Sequence, residues 1–149
     1  MRNRILLVAA LALSLTVLPA AGAQAAERTR DLTGSLRMAM IGQTATGAVF
    51  AGELRGMPMR RSGLVLRSAV AGSTSSGKAV VYAKRGTIRA TVVNEIQPQP
   101  DGSVNLPGTF RITGGTGRFR DATGSGEFEA RLPAGSTVYE ATLTGKIRY

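Results

Sequence analysis

Alternating polar and apolar residues, punctuated by glycine turns, predict that this 149-residue chain is all-β. The expected architecture is an eight-stranded antiparallel β-barrel. Three observations carry the class. Residues 86–96 place Ile88, Ala90, Val92, Asn94 and Ile96 on one face, with Thr87, Arg89, Thr91, Val93 and Glu95 on the other. Residues 137–149 repeat the pattern, with Tyr139, Ala141, Leu143, Gly145, Ile147 and Tyr149 against Glu140, Thr142, Thr144, Lys146 and Arg148. Such period-two runs have one buried and one wet face. No stretch beyond the first 25 residues shows a helical apolar period. Eight runs at regular spacing favour a closed barrel, since closure removes the edges an open sheet would leave.

The first element is not expected to belong to the fold. Arg2 and Arg4 precede an apolar run from Ile5 to Leu18, broken only by Ser14 and Thr16. Pro19 ends the run, and Ala23-Gln24-Ala25 fits a small-x-small cleavage site. This is the pattern of a secretory signal peptide over 1–25, cut near Ala25. The run is shorter than the roughly 20 residues a membrane-spanning helix needs. A secreted protein with one domain over 26–149 is therefore expected, with no transmembrane segment.

The strands follow in order. The first covers 32–40. The second covers 46–54, with Ala48, Phe50, Gly52 and Leu54 on one face. Gly56-Met57-Pro58 breaks it, and 63–70 forms the third, with Leu64, Leu66, Ser68 and Val70 aligned. The small residues Ala71 to Gly77 read as a flexible loop, followed by a fourth strand over 78–84. The fifth is 86–96, and the polar, proline-containing 97–102 is a turn. The sixth spans 104–113, where Pro107-Gly108 points to an edge or a bulge. The seventh spans 118–132, bent near Ala122-Thr123-Gly124, and the eighth is 137–149. Many inward positions are small (Ala48, Gly52, Ala90, Ala130, Ala141, Gly145). Small residues suit either a ligand cavity or strong strand coiling, and an eight-stranded barrel can fill its interior or hold one small molecule.

The chemical inventory is short. The chain has no histidine and no cysteine. Histidine-based triads, thiolate nucleophiles and the commonest metal ligands are therefore absent from the sequence. The acidic residues show no metal-ligand spacing, and no cofactor is expected. Glu127 and Glu129 flank Phe128 and so face outward. Gly114-Gly115-Thr116-Gly117 superficially matches a phosphate loop, but such a loop needs a helix after it, and a strand is expected here. These glycines read as a structural turn. Polar residues on apolar faces are the candidate ligand-binding positions: Asn94, Tyr139, Tyr82 and Ser68. Each is also compatible with a hydrogen-bonded core group, and Tyr82 lies where the face is ambiguous. No residue set identifies a reaction.

Without the leader, 17 basic and nine acidic residues leave a net charge of +8. The basic residues look spread along the chain, with only Arg60-Arg61 and Lys84-Arg85 adjacent, both near turns. A basic exterior attracts anionic envelope polymers, phospholipid or nucleic acid. Few aromatics and no basic stripe argue against specific nucleic-acid binding.

The segment Ile112-Thr113-Gly114-Gly115-Thr116-Gly117-Arg118-Phe119-Arg120-Asp121-Ala122-Thr123-Gly124 resembles the allene oxide cyclase and dirigent superfamily. Members carry a similar glycine-rich segment between two late barrel strands, and 139–149 looks like their closing strand. The resemblance implies an eight-stranded barrel with a largely apolar cavity. It also implies chemistry that proceeds by positioning a reactive ligand, either cyclising a fatty-acid epoxide or steering phenoxy-radical coupling. Plant members associate as trimers or dimers, so a homo-oligomer is an expectation, with outward Val49, Val65 and Val93 available to an interface. The matching segment is a turn, and no catalytic position is carried over with it. Two functions are thus expected in outline. One is a secreted barrel binding a small apolar or phenolic molecule, with possible steering of its cyclisation or coupling. The other is a non-catalytic structural or binding module of the cell envelope that uses its basic exterior.

Overall fold

The computed structural model describes residues 28–149, so the expected leader lies outside the described residues. The chain forms nine strands: β1 (Thr29–Thr44), β2 (Gly47–Met57), β3 (Arg60–Ala71), β4 (Thr74–Ala83), β5 (Gly86–Glu95), β6 (Gln97–Pro98), β7 (Val104–Gly115), β8 (Thr123–Leu132) and β9 (Val138–Arg148). Each pairs antiparallel with its neighbours in the order β5-β4-β3-β2-β1-β9-β8-β7-β6. A further β5–β7 ladder, running from Ile88↔Gly115 to Asn94↔Gly108, closes the sheet. Eight strands therefore form a closed antiparallel barrel, and the two-residue β6 adds to β7 outside the closure. Among the described residues the only helical element is a 3-10 turn, Gly117–Phe119.

The alternation read from the sequence sets the two faces. In β1, Leu32, Leu36 and Met38 are buried, while Thr33, Ser35 and Arg37 are exposed. On the outer wall Arg37 meets Glu140 of β9 at 3.4 Å. Glu53 carries Arg55 and Arg61, and Arg55 holds its carboxyl below the usual carboxylate range, with Arg61 assisting. A charged outside around an apolar inside is the reverse of a barrel that faces lipid.

Several boundaries differ from expectation. Residues 71–77 are not a flexible loop. β3 runs to Ala71, Gly72 takes φ 62° in a tight turn, and β4 starts at Thr74. Ladder pairing from Ala71↔Thr74 onward holds these small residues in strands where local propensity is weak. β1 extends past Met40 through a bulge, so that Met40 faces Phe50 while Gly42 faces Val49. Residues 118–122 are not strand, and β8 begins only at Thr123. Pro107 lies just beyond the last β5–β7 pair, at Gly108, and just before β6 takes over at Asn105. On that side no strand asks for the amide hydrogen that proline lacks.

Candidate functional site: an apolar cavity open at one end

The barrel has one filled end and one open end. At the filled end Leu32, Leu54, Ile88 and Ile147 point inward, and none exceeds 3% exposure. Phe119 and Ala122, from the connection between β7 and β8, cover them from below, at 5% and 0% exposure. Phe119 packs on Tyr149 with ring centroids 4.9 Å apart.

The Gly114–Gly117 segment is what brings this plug into place. Thr116 N–H donates to the Thr87 carbonyl at 3.0 Å, and Thr87 N–H donates to Thr116 Oγ1 at 3.0 Å. Arg118 N–H donates to the Arg85 carbonyl at 3.0 Å. The connection is thus zipped against the start of β5, across the barrel's floor. Gly117 sits at φ 58°, a conformation L side chains seldom adopt. The expected hairpin between β7 and β8 exists, but its connection is this wide, folded-under segment. Its glycines form a turn that seals the barrel, and no α-helix follows them as a phosphate loop would require.

Above the floor lies a cavity of about 570 Å³. This is within the size range of small-molecule sites. It opens at the opposite end, where Met40 and Val70 line the cavity and are also 48% and 52% exposed. Its lower wall is aliphatic, from Leu36, Leu64, Val81 and Ile112. Ala48, Ala90, Ala130 and Ala141 line it too, so these small residues make room. Gly52 and Gly145 serve strand approach instead: a Cβ on either would strike the backbone of the neighbouring strand. Phe110 leans its ring over Gly126 and Gly145 in the same way. No charged side chain lines the cavity.

Three of the four sequence-predicted positions line this cavity. Ser68 and Asn94 face inward near the mouth, and Tyr139 faces inward from β9. Tyr139 stacks edge-on with Phe50, 5.3 Å between centroids, the two rings meeting inside the barrel from the strands that flank β1. Among the described residues the Ser68 and Tyr139 hydroxyls make no protein hydrogen bond, which leaves both available to the lumen. The Asn94 amide donates to the Glu95 carbonyl at 3.3 Å. Tyr82 is a correction. It is 54% exposed on the outer wall, because inward-facing Val81 fixes its neighbour outward. Arg89 and Glu95 are likewise outside, Val49 and Val65 are half-buried on the wall, and Val93 is 48% exposed.

Sequence reasoning missed Gln43, Thr46 and Ser75, which line the polar part of the mouth with Ser68 and Asn94. Ser75 pairs directly with Asn94 across β4 and β5, and was hidden in the supposed loop. The alternation Ser75, Gly77, Ala79, Val81 is its signal. Gln43 turns inward only because the bulge resets the register to Gln43↔Ala48, and no sequence period shows that.

Beside the mouth, Asp101 ties down the 97–103 loop. Ser103 donates to Asp101 Oδ1 from its hydroxyl at 2.6 Å and from its N–H at 2.9 Å, and Arg131 reaches Oδ2 at 3.0 Å. These bonds, Ser103's hydroxyl foremost, hold the Asp101 carboxyl below its usual 3.8. A depressed folded-state value means that the carboxylate's contribution to stability is complete above 3.8. It is lost as the pH falls through the lower folded value. Carboxyl-detected NMR titration is expected to place Asp101 below 3.8 in the folded protein and to move it upward in Ser103→Ala.

Fold and cavity together define a closed, eight-stranded antiparallel barrel with a single-mouthed apolar lumen. Comparison of the chain with protein-family models, curated proteins and solved structures finds no match.

Proposed function

We propose that this protein is an exported binding barrel that holds a small, uncharged apolar or phenolic molecule in its lumen, polar end toward the mouth. The carrying observation is the cavity of about 570 Å³ whose lining has no charged side chain. Burying a carboxylate or ammonium there would forfeit its hydration without a counter-ion. A neutral ring or chain forfeits no charge hydration by entry, and burial contributes about 25 cal/mol per Å² of apolar surface. The hydroxyls of Ser68 and Tyr139 and the amides of Asn94 and Gln43 are placed to orient a hydroxyl, carbonyl or phenol near the opening. The likeness of residues 112–124 to the allene oxide cyclase and dirigent superfamily supports the same reading. In that superfamily the barrel mainly positions a reactive ligand, and proximity and shape do much of the work of cyclisation or coupling. No residue of this chain is assigned a catalytic role.

Native mass spectrometry of the gently desalted protein, together with Nile red fluorescence, tests the proposal. One neutral molecule per chain is expected, displaceable by a phenolic or lipid extract. Ala90→Trp fills the lumen midway down the wall and should weaken Nile red uptake at least about tenfold, a loss of about 1.4 kcal/mol, with the fold intact by circular dichroism. Failure of the parent protein to take up the dye or any component of the extracts would overturn the reading, as would undiminished uptake by Ala90→Trp.

A further inference from the structure

The basic residues, dispersed in sequence, are gathered by the barrel's topology at its filled end. Four strand junctions meet there, and each carries cations. The turn from β2 to β3 presents Arg60 and Arg61, and the turn from β4 to β5 presents Lys84 and Arg85. The sealing connection presents Arg118 and Arg120. Where the two ends of the fold run side by side, Arg28 and Arg30 lie beside Lys146 and Arg148. All ten are exposed, and the same segments contain only two acids, Asp31 and Asp121. Asp31 is engaged by Lys146 at 3.1 Å. Among the described residues Arg60, Lys84, Arg85 and Arg120 have no ion-pair partner. The mouth is the opposite case. Its junctions, residues 45–46, 72–73, 96–103 and 133–137, contain no lysine or arginine, and Arg131, at the mouth end of β8, is paired with Asp101 at 3.0 Å. The molecule is therefore charge-polarised along the barrel axis.

We propose that the filled end docks on an anionic phospholipid bilayer, with the cavity mouth directed away from it. The shape of the end favours a flat partner: the cations stand on junctions distributed around a barrel rim, where they can meet one plane together. The same rim carries an exposed apolar side chain, Met57, 59% accessible beside Arg60 and Arg61. An apolar residue among cations suits the headgroup boundary, where it enters the acyl edge while the cations meet lipid phosphates. A soluble polyanion would gain nothing from it. The charged wall keeps the barrel on the surface rather than in the membrane.

Cosedimentation of the purified protein with phosphatidylglycerol/phosphatidylcholine vesicles, against phosphatidylcholine alone, tests this. Binding is expected only with phosphatidylglycerol and should disappear at molar salt. Each cation near an anionic surface contributes on the order of fivefold in affinity. The triple variant Arg60→Glu/Lys84→Glu/Arg120→Glu should therefore bind at least about tenfold more weakly than the wall variant Arg67→Glu/Lys78→Glu/Arg111→Glu, which has the same net charge. Met57→Ser should weaken vesicle binding severalfold and leave adsorption of inorganic polyphosphate unchanged. Equal losses in the two triple variants would reduce the effect to net charge and overturn the proposal. So would binding to polyphosphate without binding to vesicles, which would assign the surface to a polymer. Nile red uptake by the same variants reads the cavity separately, so either proposal can fail alone.

Discussion

Gly115→Val is expected to destabilise the protein by at least about 3 kcal/mol, a large share of the roughly 5–15 kcal/mol that holds a domain folded. Gly115 is the last residue of β7 and pairs with Ile88 of β5 where the sheet closes. A Cβ there would run into the Thr87 carbonyl and crowd the Phe119 carbonyl, both backbone atoms that no rotamer change can move aside. Relief would require withdrawing the connection that carries Phe119, which breaks the Thr87–Thr116 bonds as well. Gly42→Ala is the matched control. A Cβ at Gly42 meets nothing within 4 Å, so this change should remain within about 0.5 kcal/mol of the parent or raise stability slightly. Urea denaturation of both variants, followed by far-ultraviolet circular dichroism, checks the contrast. Equal midpoints would show that the strands at the closure separate more freely than their register implies.

Phe119→Ala should cost about 3–5 kcal/mol, the range for removing a buried phenylalanine. The ring is 5% exposed, stacks on Tyr149, and lies against the apolar floor. Its loss also leaves Tyr149 without its packing partner, beneath Arg118 at 5.1 Å and Arg30 at 5.7 Å. The functional consequence separates this variant from an ordinary core truncation. With the cover removed, the floor of the lumen is reduced to the layer of Leu32, Leu54, Ile88 and Ile147, which water then reaches from below. In conditions where the variant is still folded, Nile red should dissociate faster than from the parent. A second variant, Phe119→Leu, preserves most of the apolar volume and is expected to restore both stability and retention in large part. Stopped-flow dye release and thermal melts provide the two readouts. Dye release unchanged in Phe119→Ala would mean that the floor stays sealed without the ring.

The strand content was legible because the strands carry their own signal. β5 and β9 alternate cleanly over their whole length, and the alternation names the inward residues, Asn94 and Tyr139 included. Legibility failed where tertiary pairing overrode local preference. Small, flexible residues after Ala71 read as a loop, yet ladder bonds to β3 and β5 make them strand and bring Ser75 to the mouth. The bulge after Met40 depends on how β1 fits β2, so the inward turn of Gln43 has no local cause. Tyr82 was misplaced by its short, ambiguous context, and the register of β4 settles it as outward.

By itself, the amino-acid sequence determined that the chain is all-β, which face of each well-patterned strand is apolar, and that histidine and cysteine chemistry is absent, because these depend on composition and period two. Only the tertiary structure decided that the sheet closes through β5 and β7. It alone sealed one end with Phe119 and left the other open, and it alone collected cations separated by up to about 120 residues onto a single rim. Closure, plug and charge polarity all arise from long-range pairings, and those are set by the geometry of a closed sheet rather than by any local pattern.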